Sequence, residues 1–124
     1  MFKNLFSKTK SENTSMINWI PLTESKQLDE LLELSYTKPQ LIFKHSTRCG
    51  VSRMVLKSFE NDFPFTAEEV DAYYLDLLNY RSISNDIADK FEVFHQSPQL
   101  IVIKDGQVAS HASHGDINEL KLNI

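Results

Sequence analysis

Cysteine occurs once in these 124 residues and glycine three times, and each scarcity excludes a class of chemistry. A single cysteine can neither close an internal disulfide nor form a C-x-x-C pair, so structural stapling and self-contained dithiol exchange are ruled out. Cys49 is therefore either an inert packed residue or a nucleophile whose reaction a second molecule completes. The glycines form no G-x-G-x-x-G fingerprint, so no hydride cofactor is implied. No apolar run approaches the roughly 18 residues that a membrane span needs, and stable membrane association is not expected. Basic residues are also outnumbered, 13 against 17 acidic ones for a net charge of -4. That balance opposes a nucleic-acid binder, which presents a positive field to the phosphate backbone.

The length allows one domain with one core. Residues 1–16 are expected to be a flexible N-terminal tail and 17–124 the folded domain. Phe2, Leu5 and Phe6 among lysines lack the continuous apolar stretch and cleavage site of a secretory signal, so the cytoplasm is the expected location. Their short amphipathic patch is read as a frayed tail in preference to a membrane or partner contact.

Along the chain, residues 19–22 predict a short strand closed by Pro21, and Thr23 a helix cap with Glu24 in the first turn. Leu28, Leu31, Leu32 and Leu34 then mark the apolar stripe of a helix that ends before Pro39. Leu41, Ile42 and Phe43 predict a strand buried on both faces. A second helix is expected around Cys49, with Ser46 or Thr47 as cap and Val51, Val55 and Phe59 facing inward beside Met54. Residues 70–78 read as a strand, with residues 72–78 also writable as a helix, and Ile83, Ile87 and Phe91 read as a helix capped by Ser82. Residues 100–103 are a strong strand, Asp105 and Gly106 a hairpin turn, and residues 107–113 its antiparallel partner. Ser113 and Asp116 resemble a capping box for a last short helix with Ile117 and Leu120 inside. The order is β-α-β-α-β-α-β-β-α, an α/β class that buries itself as a mixed sheet flanked by helices.

Cys49 thus stands in the first turn of a helix that follows a central strand. Unpaired amides and aligned peptide dipoles at such a place favour an anion and promote thiolate formation. Lys44, His45, Arg48 and Arg53 make a local basic patch, in which Arg48 can attract an acidic thiol compound or simply contact solvent. Lys44 and Arg53 are read as solvated surface, and His45 as an end-of-strand residue or an electrostatic aid to the thiolate. Ser52 stands where a C-x-x-C pair would have its second sulfur. Its hydroxyl can donate to the thiolate or serve as an ordinary first-turn serine. Gly50 allows close approach to the sulfur. Ser97, Pro98 and Gln99 precede a strand, and a cis Ser97–Pro98 bond would turn backbone groups outward beside the sulfur, where a substrate could pair with them. His45, His95, His111 and His114 with Cys49 show no recognised zinc spacing, so no metal is expected.

Residues 43–52 (FKHSTRCGVS) and 95–99 (HQSPQ), with the Lys104-Asp105-Gly106 turn and residues 110–117 (SHASHGDI), resemble the YtxJ-like monothiol bacilliredoxin family of the bacillithiol system. The correspondence runs over about residues 17–124. It implies a thioredoxin-like fold in which Cys49 faces a cis Pro98. By similarity, Ser46, Thr47 and Ser52 frame the active turn, and Ser97 and Gln99 frame the proline loop. The family pattern usually reads T-C-P-I-S, whereas here Arg48 separates Thr47 from Cys49 and Gly50 replaces the proline, which leaves the turn less rigid. Ordinary thioredoxins resemble the chain less well, since they carry two active cysteines, often an aromatic residue where Arg48 stands and a buried acid where Phe43 stands.

The resemblance implies debacillithiolation, in which Cys49 takes bacillithiol from a protein mixed disulfide and a further thiol regenerates it. Bacillithiol is the expected thiol co-substrate, no cofactor is expected to be tightly bound, and a monomer or weak homodimer is expected. Two other readings use the same residues: a protein-binding or chaperone-like module with a silent cysteine, and a metal or regulatory protein.

Overall fold

The computed structural model describes residues 17–122 and 124; the expected tail over residues 1–16 lies outside them. In chain order the elements are β1 (Ile20–Pro21), α1 (Lys26–Leu34), β2 (Gln40–His45), α2 (Gly50–Asp62), β3 (Asp71–Asp76), α3 (Arg81–Phe91), β4 (Gln99–Lys104), β5 (Gln107–Ser113) and a 3-10 helix (His114–Glu119). One sheet of five strands has the order β1-β3-β2-β4-β5. β3 runs parallel to β1 and β2, while β4 is antiparallel to β2 and β5. The expected mixed sheet and element order are therefore present.

Side-chain alternation along the strands feeds two cores. On one face Ile42, Tyr73, Leu75, Ile101 and Ile103 pack with Leu28 and Leu31 of α1 and Ile83, Ile87 and Phe91 of α3. On the other, Leu41, Phe43, Ala72, Leu100 and Val102 pack with Val55 and Phe59 of α2 and Ile117 of the 3-10 helix. Trp19 closes the second core against Phe43, Phe59 and Tyr74, and its indole N–H donates to Glu60 Oε2 at 2.6 Å.

Several local expectations are corrected. The first strand is only Ile20–Pro21, with Pro21 inside it on the sheet edge, where a missing N–H costs no ladder bond. Thr23 does not cap α1; Ser25 holds the cap position, and Gln27 Oε1 accepts the Thr23 and Glu24 amides instead. Leu34 is exposed. β2 is longer than its apolar triplet and buried throughout, so Lys44 is fully buried and not solvated surface. Helix α2 buries Ser52 with Val55 and Phe59, while Val51 and Met54 face outward. Val55 and Phe59 are thus buried as expected and only the first member of the stripe differs, Ser52 for Val51, which is tolerable because Ser52 finds polar partners inside. Tyr80, not Ser82, occupies the cap of α3. Ser113 precedes the 3-10 helix without a side-chain capping bond, so no capping box forms, and Leu120 lies just past that helix, half-buried.

Candidate active site

Neither Ser46 nor Thr47 caps α2. Cys49 itself is the cap residue, with extended φ -100° and ψ 119°, one position before the expected first turn. Its amide donates to Ser46 O at 3.1 Å, closing the turn after β2, and its carbonyl accepts the Arg53 amide at 3.1 Å, starting the helix. The side chain is half-exposed and reduced. The sulfur therefore stands at the mouth of a 13-residue helix, where the first amides have no helical acceptor.

Beneath it, Ser52 is fully buried. Its oxygen accepts the Ser46 amide at 3.2 Å and lies 2.7 Å from His45 Nδ1. Since the oxygen already accepts from Ser46, its own proton is free to go to His45, whose Nδ1 then acts as acceptor. Burial holds the His45 pKa below its ordinary value; Asp76 opposes this, Arg53 reinforces it, and Glu60 opposes it weakly. A neutral imidazole suits the acceptor role. Ser52 thus spends its hydroxyl on the junction of β2 and α2, and among the described residues no hydrogen bond reaches the Cys49 sulfur. Arg53 is exposed and donates to Thr47 O at 3.1 Å, bracing the turn from outside. Thr47 and Arg48 are exposed, and Arg48 makes no ion pair or side-chain hydrogen bond among the described residues. At Gly50 an added Cβ would meet only the tip of Arg53, at 3.8 Å.

The other half of the site comes from the segment between α3 and β4. Ser97–Pro98 is a cis peptide bond, as the family resemblance implies. Pro98 O accepts the His114 amide at 3.0 Å. Gln99 is buried, and its Nε2 donates to Phe94 O at 2.9 Å. Two buried oxygens here, Ser97 Oγ and Gln99 Oε1, have no hydrogen-bond partner among the described residues. What joins the halves is register: β2 and β4 run antiparallel with Lys44 opposite Gln99. The end of β2, leading to Cys49, therefore lies beside the start of β4, which follows Pro98. Exposed Val51, Met54 and Phe94 add apolar surface on the helix and loop flanking this end of the sheet.

Sequence reasoning missed one cluster. Lys44 Nζ lies 3.4 Å from Ser84 O and 3.3 Å from His95 Nδ1, and Ser84 Oγ lies 3.1 Å from the same nitrogen. The signal was available: Lys44 is two residues after Ile42 in a strand buried on both faces, so alternation carries it inward. Burial lowers the Lys44 pKa to about 8. Burial, then Lys44 and Arg81, lower that of His95. His111 and His114 are exposed, and no group of histidines, cysteine and carboxylates able to hold a metal occurs among the described residues.

Solved structures share this architecture. One, a protein provisionally described as an oxidoreductase with a thioredoxin fold, is 33% identical at a TM-score of 0.68, over 80% of this chain and 85% of its own. Thioredoxin of Malassezia sympodialis is 18% identical at 0.65, over 86% and 87% of the two chains. Thioredoxin of Schistosoma mansoni is 20% identical at 0.61, over 86% and 92%. The last two show the fold alone, which is thioredoxin-like. The family model for monothiol bacilliredoxin BrxC matches residues 20–122. The chain belongs to that family, and its one cysteine serves monothiol bacilliredoxin-type thiol exchange, an oxidoreductase-like role carried out with protein and small-thiol partners.

Proposed function

We propose that Cys49 removes bacillithiol from protein mixed disulfides in the cytoplasm. The observation that carries this is the half-exposed sulfur at the cap of α2, beside the end of the sheet where Pro98 enters β4. The Cys49 thiolate attacks the bacillithiol sulfur of the mixed disulfide. The new S–S bond joins Cys49 to bacillithiol, the old one breaks, and the protein thiolate leaves and takes a proton from water. A second bacillithiol thiolate then attacks the bacillithiol sulfur of the adduct, releasing Cys49 as thiolate and forming bacillithiol disulfide, so each thiolate consumed is matched by one released.

The flanking residues take separate roles in this reading. Thr47 and Gly50 leave one side of the sulfur open to the incoming disulfide. Arg48, exposed and without an ion pair among the described residues, attracts the acidic small thiol. His45 and Ser52 act indirectly, by fixing the turn that carries Cys49. Ser97, Pro98 and Gln99 shape the opposite wall, where backbone groups meet an extended client peptide.

The test is release of bacillithiol from a purified client mixed disulfide, followed by mass spectrometry. Wild-type protein is expected to gain one bacillithiol on Cys49 as the client is freed, and Cys49→Ser to do neither. Client release at the wild-type rate by Cys49→Ser would overturn the assignment, and release by neither protein would favour a binding module.

A further inference from the structure

A buried lysine normally has a carboxylate beside it, because an ammonium taken out of water without a counter-ion is costly. Lys44 is fully buried, yet no carboxylate lies within ion-pair distance of it among the described residues. Its polar contacts are Ser84 O and His95 Nδ1, and Ser84 Oγ reaches the same imidazole nitrogen. The facing groups are few: Ser84 from α3, His95 from the loop, Gln99 from β4 and Leu75 from β3. Arg81 of α3 is the one other charge felt at His95. None of these neutralises the ammonium, so its placement points to a task other than stability.

The neighbours show what the task is. His95 belongs to the segment that leads from α3 to Pro98 and has no regular secondary structure. Gln99, directly across from Lys44, ties Phe94 of the same segment. Two strand-borne side chains thus reach consecutive loop residues, while the His114 amide holds Pro98 O. The residue after Lys44 is His45, which points to the opposite face and holds Ser52, three residues after Cys49. One dipeptide at the end of β2 therefore has an arm to each half of the site.

We propose that buried Lys44 and Ser84 with half-buried His95 form a brace that positions the Pro98 loop relative to the Cys49 turn, making Lys44 and His95 positioning residues for thiol exchange. This rests on the Cys49 exchange reading above. An ammonium has donors only, so the brace needs His95 neutral with Nδ1 unprotonated. The lowered pKa of His95 agrees with that requirement.

Two rates separate positioning from general damage. Alkylation by iodoacetamide reports Cys49 alone, whereas exchange with a synthetic peptide carrying one bacillithiol mixed disulfide needs the loop as well. Lys44→Met and His95→Leu are expected to slow exchange about tenfold, since small misplacements of this kind are amplified in rate. Alkylation is expected to stay within about twofold of wild type, since the brace lies on the loop side of the sulfur. His95→Asn, which offers an acceptor where Nδ1 stood, is expected to restore most of the exchange rate. Equal exchange rates in wild type and both disruptive variants would overturn the brace, as would exchange and alkylation falling together in folded protein. Should His95→Leu fail to fold, Ser84→Ala and Lys44→Met decide by the same two rates. Cys49→Ser is run alongside. If it still exchanges, the exchange reading fails; if it is inactive while the brace variants match wild type, only the brace fails.

Discussion

Lys44 provides a stability test with an unusual sign. Burial lowers its pKa from 10.5 to about 8, and across that interval the unfolded chain keeps a proton that the folded chain has released. Stability contributed by this group is complete above the unfolded value and is lost as pH falls through about 8. At about 1.4 kcal/mol per pKa unit the whole interval is worth about 3 kcal/mol as an upper bound, of which about 1 kcal/mol falls between pH 7 and 9. Tyr73 works in the opposite direction at higher pH, because burial and then Asp71 and Glu30 raise its pKa from 10.0 to about 12. Its stabilisation is complete below the unfolded value and declines as pH rises toward the folded one. Stability should therefore climb from neutrality and turn over near about pH 10. Urea titrations at pH 7, 8 and 9 read this directly. With a slope of about 1–2 kcal/mol/M, the wild-type midpoint should rise by about 0.5–1 M from pH 7 to 9. Lys44→Met should lack that rise and should be no less stable than wild type at pH 7, since it removes a buried charge that has no counter-ion among the described residues. A wild-type midpoint that does not move, or a rise that survives the substitution, would refute the reasoning.

Ser52→Ala deletes a buried hydroxyl with two partners, the Ser46 amide and His45 Nδ1. It should cost about 2 kcal/mol in denaturant titrations, because both partners are left inside without a bond. Gly50→Pro should stabilise by about 0.5–1 kcal/mol, read as a higher melting temperature. Gly50 is the first helical residue, where no N–H is needed, and extended Cys49 before it already suits a proline. Arg48→Ala should slow exchange with the acidic thiol about threefold at low ionic strength, with the two rates converging as salt is added. A difference that persists in high salt would point to a direct contact instead of long-range attraction.

The parts of this fold that were legible in the sequence are those governed by local pattern. The β2 triplet, the α3 spacing of Ile83, Ile87 and Phe91, and the Asp105-Gly106 turn each carry their own signal, and each appears where the pattern places it. The helix starts were less legible. Several serines and threonines compete for each cap, and the outcome depends on partners elsewhere, as when Gln27 takes the amides assigned to Thr23. The α2 face was misread because Val51 and Ser52 are both compatible with a buried stripe, and the choice is made by His45 across the junction. The two halves of the site are 49 positions apart, Cys49 to Pro98, and are joined by the β2–β4 register. Beforehand they are linked only by the conditional cis-proline reading and by the family resemblance, because register between distant strands leaves no local trace.

The serine at the second-sulfur position changes what having one cysteine means here. A thiol is a weak donor and a weak acceptor, so a cysteine at that place would serve the Ser46 amide and His45 Nδ1 poorly. The hydroxyl serves both, at 3.2 and 2.7 Å, while fully buried. The absence of a resolving sulfur is thus built into the packing that holds the turn, and Cys49 stands with no neighbouring thiol in the chain. Once Cys49 carries a small thiol, nothing within the molecule can displace it. The lifetime of the adduct is then set by the concentration and thiolate fraction of the second thiol, and by how freely that thiol reaches the open end of α2.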